Sequence, residues 1–460
     1  MKKSFIYLAV AAIAILVASC VKPVPTPEPG PDGPEGPDGP GPGPDVPTLY
    51  DITVQLQSAD GALAVEGIPV ALADEDGLTS YEAATDASGK ATFKVPAGTY
   101  TASATYKTAE DGQRVAFNGS NSAIVVKEGA TSFAIELDKI VSQQVIIKEV
   151  YTTGCPNGES NTYSNDAYVI LYNNSDLEAD ASDIVFAGMA PSMPSAAKNY
   201  YTDGENLLFE HEDWLPAYSA LWFFDSEVKI PPYSQIVIAL FGGVDHTQTV
   251  TASVNLSDPS YYWMNNKSIE AFTHNKYSIS ESIPTEHYLS GAQINMGTAW
   301  VVSNATPGFY IARMSKEDAI ALAQNKDAYD TSLGTTAALA NAKFPKSKVI
   351  DAVEIWGTAS IAKSKNRYSA DILTNYIVIT NNKGYSVYRN VDKEATEALE
   401  ENAGKLVYDY AGGTEDVEGS TDPSGIDAEA SVAAGAHIIY SDTNDMAKDY
   451  HVRKVASIKK

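Results

Sequence analysis

The chain has 460 residues, with 32 Lys and Arg against 59 Asp and Glu and a formal net charge of −27. So acidic a surface argues against nucleic acid and anionic membrane surfaces as partners, since both select for basic patches. It favours solubility, and the length leaves room for two to three domains.

Residues 1–19 read as a targeting segment. Met1-Lys2-Lys3 is basic, Ser4 to Val17 is almost wholly apolar, and Val17-Ala18-Ser19-Cys20 ends in small residues and a cysteine. The apolar run is shorter than the roughly 20 residues of a spanning helix, and the charged–apolar–small order is that of a secretory signal. With its terminal cysteine it resembles a bacterial lipoprotein signal with a lipobox. That resemblance implies cleavage before Cys20, acylation of Cys20 and a lipid-anchored mature protein at the outer membrane, on its cell-surface or periplasmic face.

From Cys20 to residue 48 the chain is a tether. Pro-Val-Pro-Thr-Pro-Glu-Pro-Gly-Pro is followed by Gly-Pro-Asp and Gly-Pro-Glu triplets. Proline at this density favours extended polyproline II, which carries about 25 residues over a distance on the order of 80 Å. Too few triplets are in register for a collagen triple helix. The tether lifts a folded body away from the membrane. With Cys20 acylated, Cys155 has no intramolecular partner, and in an oxidising compartment it is expected to be buried.

Residues 49–139 read as a small β-sandwich. Tyr50 to Leu56 alternates apolar and polar residues, as a half-buried strand does. Gly67-Ile68-Pro69-Val70-Ala71-Leu72 follows a turn, and Thr85 to Tyr100 reads turn, strand, turn, with Ala91, Phe93 and Val95 on one face and Ser88-Gly89 at the tight turn. About seven short strands are expected. The "G-x-P-V-x-L … T-D-x-x-G-x-A-x-F-x-V-P-x-G-x-Y" pattern resembles the carboxypeptidase-regulatory-like, prealbumin-type fold. In such families the module serves as a spacer or docking element.

Residues 140–460 read as a second, larger β domain. Gln144 to Tyr151, Asn165 to Asp176, Ile230 to Ala239 and Asn304 to Gly308 together resemble a lamin-tail-like, immunoglobulin-type sandwich. Ile170 stands where that family carries glutamate. Beyond Pro307, Ser315-Lys316-Glu317-Asp318 is a capping box ahead of an apolar run and predicts a helix. Thr336 to Ala342 and Lys393 to Asn402 are further helical segments. Strands are expected at Val349 to Trp356 and Asn375 to Thr380. The order of lipobox, tether, regulatory-like sandwich and long β-rich domain resembles an uncharacterised family of Gram-negative lipoproteins. The expected fold class is mainly β, with two β-sandwich (immunoglobulin-like) domains, the second elaborated with short helices and long loops.

Catalytic signatures are absent from the sequence: there is no Gly-x-Ser-x-Gly elbow and no thiol-protease motif around Cys155. The six histidines are scattered, without a His-Glu-x-x-His pair. Glu210-His211-Glu212-Asp213 is the densest set of metal-ligand types. On a strand, however, Glu210 and Glu212 face away from His211, so the segment reads either as a metal site or as a solvated loop. The 27 tyrosines and 5 tryptophans are the larger surplus. In adjacent aromatic pairs on a strand one ring fills the core and the other faces out. Exposed Tyr and Trp rings suit sugars or protein partners. Tyr261, Tyr262 and Trp263, between Ser257-Asp258-Pro259 and Met264-Asn265-Asn266, are the candidate binding cluster. The expectation is a non-enzymatic, lipid-anchored envelope binding protein with no catalytic residue and no cofactor. It engages a protein, such as an outer-membrane receptor, or a glycan through its C-terminal domain. The alternative is a substrate- or metal-capturing accessory of an outer-membrane importer.

Overall fold

The computed structural model describes residues 47–460 apart from 76–78, 159–160, 195–199, 203–205, 274–277, 296, 301, 337–338 and 460. The signal-like segment, Cys20 and the tether up to residue 46 lie outside the described residues. Among the described residues no helix is long and apolar enough to cross a membrane.

The first sandwich follows the alternation in its sequence. One sheet joins Gly61–Ala62, Leu49–Ser58 and Lys90–Pro96, with Ser132–Glu136 added parallel to Leu49–Ser58. The other runs in the order Ser80–Ala84, Pro69–Asp74, Gly98–Glu110, Gln113–Val126, Asp138–Gln143. Ile52, Val54 and Leu56 from one sheet and Val70 and Leu72 from the other are fully buried, and Ala91, Phe93 and Val95 join them on the face expected for them. The turn at residues 86–90 is built by Asp86, whose Oδ1 accepts from Ser88 N (2.8 Å), Ser88 Oγ (2.7 Å) and Lys90 N (3.1 Å). Gly89 sits there at φ +75°, with a Cβ position only 1.9 Å from the Leu63 carbonyl oxygen, so no other residue fits without backbone movement. The strand Asp138–Gln143 pairs with Gln113–Val126, so the sandwich runs through Gln143 rather than stopping at Lys139.

The larger region is built on one fourteen-stranded sheet. Its main path is Ile377–Ile379, Val349–Gly357, Gly308–Arg313, Ile184–Met189, Trp214–Phe224, Tyr288–Gln293, Tyr262–Met264, Gln235–Ala239, Tyr168–Asn173, Val145–Tyr151, Ser386–Arg389, Tyr450–Arg453. Asn341–Pro345 branches from Trp214–Phe224 and carries Tyr329–Asp330. The sheet curls back on itself. Ile147 N, in the strand third from one end of the path, donates to Asp351 Oδ2 at 2.7 Å in the strand second from the other end. Both faces are therefore covered, and every residue of Val145–Tyr151, Tyr168–Asn173 and Ile184–Met189 is buried.

Covering both faces traps charge. Arg389, 1 % exposed, donates to Asp351, to Tyr450 Oη (2.6 Å), to Ile147 O (2.9 Å) and to Asp442 Oδ1 (3.1 Å). Arg367 Nε donates to both Glu354 oxygens (3.1 and 3.0 Å), one of which also accepts from Trp356 Nε1 (2.7 Å). Lys148 lies 5.2–5.5 Å from the ring centres of Tyr172, Tyr388 and Tyr440, and its Nζ donates to Gln235 Oε1 at 2.8 Å.

Residues 50–460 pack as one compact unit with separate hydrophobic cores. Asp176 receives Arg114 Nε (2.7 Å) and Lys107 Nζ (2.5 Å) from the first sandwich, and Gln144 N donates to Gly112 O (3.2 Å).

The helix at Lys316–Gln324 forms as expected, with Ser315 Oγ accepting from Asp318 N (3.1 Å). The segment from Lys393 to Asn402 is a short helix, Lys393–Glu397, followed by a 3-10 turn, Glu400–Asn402. The helix expected over Thr336 to Ala342 does not form among the described residues of that segment. Thr336 O accepts from Leu339 N and Ala340 N in a single turn, after which Asn341–Pro345 is drawn into the sheet against Trp214–Phe224.

Candidate functional site

The loop from Asp245 to Tyr261 is shaped by a repeated local device. Asp245 Oδ1 accepts from Thr247 N (3.1 Å) and Oγ1 (2.6 Å). Asn255 Oδ1 accepts from Ser257 N (2.9 Å) and Oγ (2.7 Å), and Asp258 Oδ1 accepts from Ser260 N (2.9 Å) and Oγ (2.7 Å). Each is an Asp/Asn-x-Ser/Thr turn in which a side chain replaces a backbone partner and stiffens the loop. Sequence reasoning passed over these residues; the signal was their three-fold recurrence at one spacing.

The C-terminal segment straps this loop down. Ser457 donates through its N (3.0 Å) and its Oγ to the buried Glu149 carboxylate, and Lys459 Nζ donates to Ala252 O (2.6 Å). Between loop and strap lies a pocket of about 320 Å³ lined by Thr251, Ser253, Asn255, Asp258, Tyr261 and Ile458 among others. That volume falls at the small end of the range for ligand sites, about 300–1,000 Å³.

Behind Ser253 the structure holds a buried polar cluster. Asp166 Oδ2 accepts from Ser253 Oγ (2.5 Å), Tyr151 Oη (3.1 Å) and Cys155 Sγ (3.6 Å), while Oδ1 has no hydrogen-bond partner. Burial raises the Asp166 carboxyl above the usual carboxylate range. Burial, reinforced by the Asp166 charge, pushes the Cys155 thiol up to about 11. The buried cysteine expected from sequence is therefore found, held as a thiol. His246 is buried too, and burial lowers its pKa. Its Nε2 lies 2.9 Å from Gly242 O, a carbonyl that can only accept, so Nδ1 accepts from Tyr163 Oη at 2.8 Å. Both ring nitrogens are occupied in the neutral form.

The aromatic cluster is divided by the sheet. Tyr261 is half-buried and lines the pocket. Tyr262 and Trp263, expected in an exposed loop, are 8 % and 1 % exposed. They belong to a strand, Tyr262–Met264, that pairs in parallel with neighbours on both sides. Tyr262 packs against Phe224 (5.4 Å between ring centres) and stacks on His287 (4.4 Å), and Trp263 meets Tyr288 edge-on (5.0 Å). These two rings are core: adjacent on the strand, they point to opposite faces, Tyr262 into the main hydrophobic cluster and Trp263 into a smaller one.

The metal reading of Glu210, His211, Glu212 and Asp213 finds no converging ligand set. Among the described residues no group of three His, Cys, Asp or Glu side chains is placed to hold a metal ion. The segment is a turn held by its backbone. Lys346 Nζ donates to Glu210 O (3.0 Å) and Lys346 N to Asp213 O (2.9 Å), while Glu210 Oε1 accepts from Ala370 N (3.0 Å). His211, Glu212 and Asp213 are exposed.

Residues 231–424 match a family model described as protein of unknown function (DUF4876). No curated protein matches the sequence. Among solved structures, the crystal structure of a DUF4876 family protein from Bacteroides thetaiotaomicron aligns over 87 % of this chain and 94 % of that one, at 16 % identity and a TM-score of 0.53. The major pilin subunit BcpA of Bacillus cereus aligns over 73 % of this chain and 100 % of that one, at 12 % identity and a TM-score of 0.16. The chain thus resembles the uncharacterised DUF4876 proteins, in sequence over residues 231–424 and in fold over most of its length.

Proposed function

We propose that this protein is a lipid-anchored component of the outer membrane that binds a protein or glycan through its C-terminal domain and catalyses no reaction of its own. The observation that carries the reading is the pocket between the stiffened loop and the C-terminal strap, with the half-buried Tyr261 ring in its wall. A rigid, concave surface offering an aromatic ring beside hydroxyl and amide groups is what a recognition site requires. The residues behind it lean toward binding rather than chemistry: the Cys155 thiol stays protonated, and both ring nitrogens of His246 are committed. The Val17-Ala18-Ser19-Cys20 order and the Pro/Gly-rich spacer support the anchor.

Two measurements test the two halves of this proposal. Cells carrying Cys20→Ala should release the protein from the membrane fraction in detergent-free buffer; equal retention of mutant and wild type would sink the anchor. For the binding half, purified protein with Tyr261→Ala should lose the envelope components that the wild type retains on a column, while still unfolding in one cooperative transition. Equal retention would move recognition away from this pocket.

A further inference from the structure

Resting on the reading that this pocket is a recognition site, we infer that it takes a neutral saccharide, one pyranose-sized unit of a glycan. The lining is mixed in the way a sugar ring is mixed. Ile458 and the Tyr261 ring give apolar surface for a carbohydrate C–H face, and the exposed Thr251 and Asn255 supply groups of the kind that exchange hydrogen bonds with hydroxyls, while Ser253 and Val254 form the buried floor.

Charge argues against the other small polar ligands. The cation at the rim, Lys459, has its ammonium on Ala252 O at 2.6 Å, and the carboxylate of Asp258 lines the same pocket. A phosphate or carboxylate ligand would meet that acid, and Lys459, the cation in the lining, is exposed to water and has one donor engaged by Ala252 O. A lipid tail would leave the hydroxyls and the amide unpaired, which is costly once water is expelled.

Preorganisation is the second support. All three Asp/Asn-x-Ser/Thr turns supply pocket residues: Thr247 from the first, Asn255 and Ser257 from the second and Asp258 from the third. Ser253 is fixed from behind, with its Oγ proton directed at Asp166 Oδ2 at 2.5 Å. Ser253 is itself fully buried, so it braces the pocket floor and does not contact the ligand. A site with little freedom to lose on binding suits a weak, hydroxyl-rich ligand that cannot offset a large ordering cost.

The experiment is saturation-transfer NMR on the full mature chain with four neutral probes: malto-, cello-, xylo- and chito-oligosaccharides. Glucose 6-phosphate serves as the charged comparison. Transfer to the ring protons of at least one neutral probe is expected, reduced at least tenfold by Tyr261→Ala and abolished by Thr251→Trp, which fills the pocket from its exposed rim. Tyr261→Phe should retain the signal, since the ring face and not the hydroxyl makes the contact. The saccharide inference is overturned if none of the four shows transfer, if only glucose 6-phosphate does, or if Tyr261→Phe loses as much as Tyr261→Ala. In any of those cases, retention of an envelope protein that Tyr261→Ala abolishes would keep the pocket as a recognition site for another class. Retention unaffected by Tyr261→Ala would remove both readings.

Discussion

The two β regions solve the same problem in different ways. In the first sandwich, each core strand has one wet face, so strand Lys90–Pro96 reads exposed, buried, exposed, buried along its length. Its core is aliphatic and aromatic, and its charges stay outside. In the larger region the curled sheet covers both faces, and whole strands are buried end to end. Charges buried there must then be compensated in place: Arg389 by Asp351 and Asp442, Glu354 by Arg367, and Lys148 by the Gln235 amide oxygen and the faces of three tyrosine rings. The lesson is that a half-wet sheet needs only hydrophobic burial, whereas a doubly covered one also needs electrostatic bookkeeping.

The contrast can be broken most forcefully at Arg389. Arg389→Leu leaves Asp351, with Asp442 and Asp449 nearby, buried without a cation. It should cost about 3–5 kcal/mol of stability in chemical denaturation, the usual penalty for orphaning a buried charge. The double variant Arg389→Leu/Asp351→Leu should regain part of that loss. A single variant as stable as wild type would show that the pair is not what holds the curl closed.

A comparable loss of about 2–5 kcal/mol is expected for Leu72→Ala in the first sandwich, from cavity formation alone. Because that core is self-contained, residues 47–143 expressed alone should unfold cooperatively, and Leu72→Ala should lower the fragment and the full chain equally. A fragment with a flat melt and collapsed amide dispersion would show that the small sandwich depends on the large one.

The comparison sharpens in its pH dependence. The first sandwich has no histidine, while the larger region buries His451, whose Nδ1 lies 2.8 Å from Asn390 Oδ1 and whose Nε2 lies 2.7 Å from Tyr410 Oη. Burial, aided by the Arg453 charge, depresses its pKa from 6.5 to about 3. Between those values the unfolded chain binds the proton and the folded chain does not, so stability is lost as pH falls below 6.5. The slope is at most about 1.4 kcal/mol per pH unit. The larger region also buries carboxyls such as Asp351, raised to about 7, which act with the opposite sign, so the His451 contribution is read as a difference: between pH 7 and 4 the full chain should lose stability relative to His451→Gln. Parallel pH profiles for the two would place the effect elsewhere.

The smallest expected effect lies where the two regions meet. Lys107 is 42 % exposed where it pairs with Asp176, so Lys107→Ala should change stability by about 0.2–1 kcal/mol, and less at high salt. A loss of several kcal/mol would mean that the junction is a rigid part of the fold.

Sequence alone determined the first sandwich, because alternation and turn chemistry are local. Phe93 faces inward because it lies two residues from both Ala91 and Val95, and Gly89 is where the left-handed turn must be. The helix after Ser315 was legible for the same reason, since its cap and first turn lie within four residues. Tertiary structure decided the rest. Tyr262 and Trp263 look like a loop cluster until strands separated from them in sequence close on either side. Thr336 to Ala342 has the composition of a helix, but hydrogen bonds to Trp214–Phe224 claim its end. The acidic run at residues 210–213 looked like a ligand set, but convergence in space is what makes a metal site, and nothing local supplies it. The pocket beside Tyr261 needs a loop, a C-terminal strap and the buried Glu149 and Asp166 that fix them. Those parts lie as much as 308 residues apart in the chain and are joined only by the folded sheet.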